Sequence, residues 1–342
     1  MKLVLGETRM KPSGRLWSVV CVVVLLGLIA RTFGVAEEAT AGAKKNFLAV
    51  LSDQQKELLR AAANYVEQNP DASDLDDAFA WAFETARRFG LEADVVPLAE
   101  RCLQTSASAP ATKNAAKLVL CVGLAKSGKL KEAQAAFQDT LQFVRFGAGN
   151  ESLDLAIELA CQAGLAGDHS AAKKIYETLA NRFSLNPQVG EFCENRLRKL
   201  ELVGTEAAEL RLTALDGRPA SVAAHKGKVL LVDFWATNCP PCLAEFPKLK
   251  QLFADKHKEG FEILGLSLDE SPDIVDAFQK RAELPWTLVC EPDQIREARE
   301  KYRVRTIPSL FLIGRDGRIA QVDLKGNDLR QAVERCLAEK SP

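Results

Sequence analysis

Apolar residues recur at helical spacing from residue 46 to about residue 203, and the pattern then changes to short apolar runs alternating with helical stretches. In residues 46–69, Leu48, Leu51, Leu58, Leu59, Ala62 and Val66 mark one helix face, and Pro70-Asp71 ends it. Three similar pieces follow, each an apolar helix, a glycine-containing turn and a second amphipathic helix. Their turns lie at Gly90-Leu91, Gly128-Lys129 and Gly167-Asp168, with the glycines 38 and 39 residues apart. Ala133 aligns with Ala172, and Phe137 with Tyr176. A small residue where helices cross, with an aromatic residue four positions later, is the packing logic of tetratricopeptide hairpins, whose period is about 34. The spacing here is longer and the repeat degenerate. The expectation is an all-α, TPR-like helical domain over residues 46–203, with a generic helical bundle as the plainer alternative. Such repeats offer a concave face, which suggests a protein partner on the helical domain.

Val203-Gly204-Thr205-Glu206 marks the boundary. Beyond it, residues 210–215 predict a strand and Asp216-Gly217 a tight turn. Strands are expected at 229–235, 261–268, 286–290, 309–313 and 319–324, the last two joined by a turn at Asp316-Gly317. Helices are expected from Cys239 to about 258, then at 272–282, 293–302 and 327–339. Strands alternating with helices and closed by a hairpin and helix predict a mixed α/β sheet over residues 206–340.

The chemistry concentrates at Trp235-Ala236-Thr237-Asn238-Cys239-Pro240-Pro241-Cys242. Two cysteines two residues apart, where a buried strand hands over to a helix, read as a redox dithiol. The helix start offers unpaired N–H groups and the positive dipole end to the first sulfur, which favours its thiolate. Cys239 is therefore expected to be the exposed nucleophile, and Cys242, one turn inside, the resolving cysteine. Pro240-Pro241 suit the first helical turn, where a missing N–H costs little. A metal-binding reading of the pair needs two more ligands, and none lies near in sequence. Asp233 and Glu245 are candidates for moving protons to and from Cys242, because a carboxyl buried by the apolar strand has a raised pKa. Their plainer roles are a hydrogen-bonded structural acid and a solvated helix residue. Trp235 is expected beside the disulfide, on the substrate-binding side. His225 and the acidic pair Asp269-Glu270 read as solvated loop residues.

These residues resemble the thioredoxin superfamily. Val232-Asp233-Phe234-Trp235-Ala236 followed by Cys-x-x-Cys is its signature. Pro247 matches its helix-kinking proline, Thr306-Ile307-Pro308-Ser309 its cis-proline loop, and Gly326 follows the last hairpin. The opening Leu-Asp-Gly-x-Pro, the extra segment from Leu268 to Pro292 and Glu245 three residues after Cys242 are more similar to the TlpA/ResA-type extracytoplasmic disulfide reductases. The resemblance implies a thioredoxin-like fold and a cis Pro308 that brings its loop against Cys239. The backbone of Ile307 is then free to pair with an extended substrate segment. It also implies a disulfide-containing protein substrate, of secreted or cytochrome type, and an upstream thiol reductant. Two departures stand out. Asn238 occupies the place of a usual tryptophan, and the lysine that pairs with the buried aspartate has no counterpart in Ile263-Leu264-Gly265-Leu266-Ser267.

The chain has 342 residues, 45 basic against 46 acidic, and no basic stripe, which argues against nucleic acid. No cofactor or metal is called for, since the dithiol itself cycles. Lys2, Arg9, Lys11 and Arg15 precede an uncharged run from Leu16 to Ala30, short for a span and suited to a signal h-region. Residues 1–36 thus read as a signal peptide cleaved after Ala36, or as a retained anchor through which alone the membrane becomes a partner; residues 37–45 read as a tether. Both readings place the protein outside the cytoplasm, in the periplasm or secreted. Six further cysteines, Cys102, Cys121, Cys161, Cys193, Cys290 and Cys336, sit on apolar faces as small hydrophobes. The expected function is a thiol–disulfide oxidoreductase, more a reductant than a strong oxidant because no histidine lies between the cysteines. Two alternatives remain: a thiol peroxidase, against which Thr237 stands two rather than three residues before Cys239, and a non-enzymatic scaffold built on the helical domain.

Overall fold

The computed structural model describes residues 47–106, 108–143 and 149–339. The expectations for residues 1–36 and 37–45 lie outside them.

Eight α-helices precede the first strand among the described residues: α1 (Phe47–Gln68), α2 (Leu75–Phe89), α3 (Val96–Gln104), α4 (Pro110–Lys126), α5 (Leu130–Phe143), α6 (Gly149–Leu165), α7 (His169–Arg182) and α8 (Pro187–Leu200). The glycines at 90, 128 and 167 all adopt the left-handed conformation that lets a helix end and the chain turn back. Ala133, Ala172, Phe137 and Tyr176 are all buried, so the paired positions of α5 and α7 do face the core between the hairpins.

The second half forms a small hairpin and a five-stranded sheet. The hairpin is β1 (Arg211–Thr213) and β2 (Pro219–Ser221), turning through Gly217. The sheet has the order β5-β4-β3-β6-β7, with β3 (Val229–Trp235), β4 (Phe261–Ser267), β5 (Thr287–Val289), β6 (Ser309–Ile313) and β7 (Ile319–Val322). β3 runs parallel to β4 and antiparallel to β6, and β6 and β7 are antiparallel. Helices α9 (Pro240–Lys256), α10 (Pro272–Ala282), α11 (Pro292–Lys301) and α12 (Gly326–Ala338) complete this half. It is the mixed sheet with flanking helices expected from the alternating pattern.

All seven residues of β3 are buried, as a central strand requires. Strand periodicity sends them to two cores. Val229, Leu231 and Trp235 pack with α9 and α12, while Leu230, Val232 and Phe234 pack with Ile295, Ala298 and Tyr302. Asp233 takes its turn on the α9 face, where an apolar residue is otherwise expected.

From Ser52 onward the helices and the sheet belong to one compact unit. Gln321 donates to the carbonyl of Gly164 at 2.7 Å, and Gln162 to Asp328 at 3.2 Å. Arg335 bonds the carbonyl of Leu165, closing the end of α6. The six further cysteines are free thiols, five buried and Cys161 partly so. Burial pushes the thiols of Cys121, Cys193 and Cys336 up to about 11. They behave as small apolar groups and are poor nucleophiles.

Candidate active site

Cys239 and Cys242 form a disulfide, with Cα atoms 5.3 Å apart. The local sequence dictates the arrangement. β3 ends at Trp235, the chain turns through Ala236-Thr237-Asn238, and α9 begins with Pro240 and Pro241 in its first turn. Cys239 is the N-cap, and its sulfur accepts the amide N–H of Cys242 at 3.3 Å, where a serine or aspartate oxygen usually sits. The expected helix-start sulfur is in place, but its expected exposure is not. Cys239 is 7% exposed, because its sulfur turns into the helix and joins the apolar cluster of Ala236, Cys242 and Phe246. Asn238, Pro240 and Pro241 form the exposed rim around it.

Trp235 requires a correction. It was expected on the substrate-binding side, yet it is fully buried, with Phe246 and Phe278 rings 5.0 and 5.3 Å from its own. A ring with no free surface cannot touch a substrate, so its place is beneath the site. Gly265 pairs in register with Asp233. A Cβ there would lie 2.8 Å from Leu288 and 3.3 Å from the indole nitrogens of both Trp235 and Trp286. Two indoles thus fill the room beside the β4 position that faces the buried aspartate.

Asp233 is 2% exposed. Burial, reinforced by the negative charge of Glu245, pushes its carboxyl up to about 7. Glu245 follows Cys242 by three residues and so shares its helix face. It is largely shielded, and Lys248 donates to it at 3.3 Å. The helix carboxyl thus acts on the strand carboxyl of Asp233.

Sequence reasoning missed Asp269, which it read as solvated. Its carboxylate accepts the Thr237 N–H at 2.9 Å, the Thr237 hydroxyl at 2.6 Å and the Ser267 hydroxyl at 2.5 Å. It clamps the segment leading into Cys239. Glu270, its neighbour, is exposed as expected.

The Ile307–Pro308 bond is cis, and both residues are partly exposed. Ile307 packs against the cores on both faces of the sheet. The flanking residues are held by α8. Asn195 donates to the Thr306 hydroxyl at 2.6 Å, and the Lys199 ammonium to the Ser309 hydroxyl at 3.0 Å. Ser309 in turn donates to the Thr306 carbonyl at 2.7 Å. Lys199 is 1% exposed and pairs with Asp323 at 2.5 Å; Arg196 pairs with the same carboxylate. Burial pulls the Lys199 ammonium below its ordinary value against the opposing pull of Asp323. Burial works against the Asp323 carboxylate too, but the two cations outweigh it and hold it below the usual range. None of these partners is signalled by local pattern, since Lys199 and Asp323 lie far apart in sequence.

Known proteins resemble part of this chain. The AhpC/TSA family profile matches residues 203–322. The thiol–disulfide oxidoreductase ResA of Bacillus thuringiensis is 31% identical over 140 residues, 41% of this chain and 79% of that protein. ResA of Geobacillus kaustophilus is 32% identical over 141 residues, again 41% and 79%. Among solved structures, the thioredoxin domain of a Bacteroides vulgatus thiol–disulfide oxidoreductase is 29% identical with a TM-score of 0.38, covering 40% of this chain and 97% of that one.

Proposed function

The chain belongs to the ResA-type family of thiol–disulfide oxidoreductases, and on that premise we propose that it reduces disulfides of extracytoplasmic proteins through Cys239 and Cys242. The observation that carries this reading is the cysteine pair at the start of α9 with two carboxyls behind it. The helix N-terminus favours the Cys239 thiolate. That thiolate attacks one sulfur of the substrate disulfide; the substrate S–S bond breaks, and the departing thiolate takes a proton from water. Cys242 then gives its proton to the Asp233–Glu245 pair and attacks the Cys239 sulfur. The second substrate thiolate leaves and is protonated. Two electrons have passed from the dithiol to the substrate, and an upstream thiol reductant restores the dithiol. A carboxyl that titrates at about 7 can accept a proton and release it at neutral pH.

Ile307 and Pro308 are assigned to substrate binding, with the Ile307 backbone pairing with an extended segment. The basic start and apolar run of residues 1–36 support export. The paired Ala and aromatic positions of α5 and α7 support a TPR-like assignment for the helical region. The AhpC/TSA match raises a peroxidase reading, but both the N–H and the hydroxyl of Thr237 are bound to Asp269, which leaves neither for a peroxide.

Insulin reduction by the full chain, with dithiothreitol as electron source, tests the proposal. Turnover is expected, and Cys242→Ser is expected to hold substrates as mixed disulfides on Cys239. Peroxide turnover without disulfide reduction defeats the reading.

A further inference from the structure

We propose that helix α8, which lies outside the redox fold, is a positioning element of the substrate loop, so that the site for protein disulfides is completed by the helical region. This rests on the assignment of Ile307 and Pro308 to substrate binding. The contacts run along α8 and reach the loop on both sides of Ile307-Pro308. Asn195 holds Thr306 and Lys199 holds Ser309, four residues apart on the helix and therefore neighbours on one face. Thr306 and Ser309 bracket Ile307-Pro308. Just upstream, Arg303 donates to the Arg198 carbonyl at 3.2 Å and pairs with Glu201 at 2.5 Å, and Arg305 lies 3.7 Å from Glu194.

Behind the loop, Asp323 completes the frame. Its backbone is left-handed at φ 56°, its N–H bonds the Leu310 carbonyl at 2.7 Å, and its carboxylate accepts the Leu310 N–H at 3.2 Å. The same carboxylate binds Lys199 and Arg196 of α8. The start of β6 and α8 are therefore locked to one group. An apolar contact is an easier way to join two elements than a buried lysine, because a buried ammonium must be compensated by well-placed partners. What the lysine adds is direction. Its bond holds Ser309 at hydrogen-bond distance from α8, and the Asn195 amide does the same for Thr306. A flexible peptide segment laid against Ile307 needs that geometry. A small disulfide, which touches only the sulfur of Cys239, does not.

The experiment uses the full chain and four variants: Asn195→Ala, Lys199→Met, Lys199→Arg and Pro308→Ala. Steady-state kcat and KM are measured with insulin and with the small disulfide 5,5′-dithiobis(2-nitrobenzoate), dithiothreitol serving as reductant. Asn195→Ala and Lys199→Met are expected to raise KM for insulin about fivefold, the loss of one ordinary hydrogen bond's worth of binding. Their kcat, and their kinetics on the small disulfide, stay within about twofold of wild type. Lys199→Arg, which keeps the charge and donors, recovers part of the loss. If Lys199→Met does not fold, Asn195→Ala carries the test, since it removes one neutral bond. An unchanged insulin KM in folded Asn195→Ala, or an equal loss on both substrates, overturns the proposal. Pro308→Ala separates the two readings. If it raises the insulin KM while the α8 variants do not, the substrate loop stands and the role of α8 falls. If no variant raises it, the assignment of the loop itself is wrong and the proposal falls with it.

Discussion

One loop leads into the disulfide and another carries the cis proline, and the two are held in opposite ways. Residues 236–238, which lead into Cys239, are fixed from within the redox fold, by Asp269 at the end of β4. Residues 306–309 are fixed from outside it, by Asn195 and Lys199 of α8. The first clamp acts on the backbone that carries the nucleophile. The second acts on the loop that carries the cis proline, proposed above to receive the substrate. On the proposed assignment, reactivity and recognition depend on different parts of the chain, and each is expected to be disturbed without the other.

The largest expected effect sets the floor for both loops. Cys239→Ser abolishes turnover on every disulfide, measured as insulin precipitation and as release of thionitrobenzoate. Next is Lys199→Met, which leaves the buried Asp323 carboxylate with Arg196 and the Leu310 N–H. Because Arg196 remains, the cost is that of a lost hydrogen bond to a charged group, about 2 to 3 kcal/mol, read as a fall in the urea midpoint. A loss below 1 kcal/mol means that α8 is not anchored there, and the contrast between the loops collapses.

Asp233 joins the two loops, since β3 leads into the first and pairs through Asp233 with Leu310 beyond the second. Its carboxyl ionises at about 7 in the folded disulfide form against 3.8 in the unfolded chain. Between these values the folded state holds a proton that the unfolded state has lost, so stability falls as pH rises from about 4 through 7. The full effect is roughly 4 kcal/mol at most. Asp233→Asn is expected to flatten that slope in urea titrations across the window; an unaltered slope removes Asp233 as its source.

Asp269→Ala frees Thr237 and costs about 2 kcal/mol, the scale of hydrogen bonds to a charged acceptor. Its kinetic signature is the sharper test. The rate falls by a similar factor on insulin and on the small disulfide, in contrast to the selective loss expected for α8. Asn195→Ala has the smallest expected effect on stability, about 1 kcal/mol. Equal losses on both substrates in Asn195→Ala and Asp269→Ala erase the division of labour.

Much of the redox half was legible because its signals are local. The apolar run of β3 is a continuous buried strand, and Cys239, Pro240, Pro241 and Cys242 lie within one helical turn. The helical hairpins announced themselves by their glycines, which all take the left-handed conformation. What escaped notice depends on partners distant in sequence. Asp269 looks like any loop acid until Thr237 folds against it, and Lys199 looks like a surface residue of an amphipathic helix until Asp323 arrives. Trp235 and Cys239 were misplaced for a related reason. Motif position says where a residue sits along the chain but not how much of the structure covers it. The α10 aromatic Phe278 and the turn of the Cys239 sulfur into α9 do the covering.

The buried cations of α8 also have a consequence for biosynthesis. Lys199 is translated 124 residues before Asp323. At about 5 to 20 residues per second, the interval is roughly 6 to 25 s. Throughout it Arg196 and Lys199 lack the carboxylate they pair with in the folded protein. The helical region emerges first as an unfinished template, and the arrival of β7 and Asp323 closes it. The frame of residues 306–310 is thus completed only after the cysteine pair has been made, with α12 still to follow.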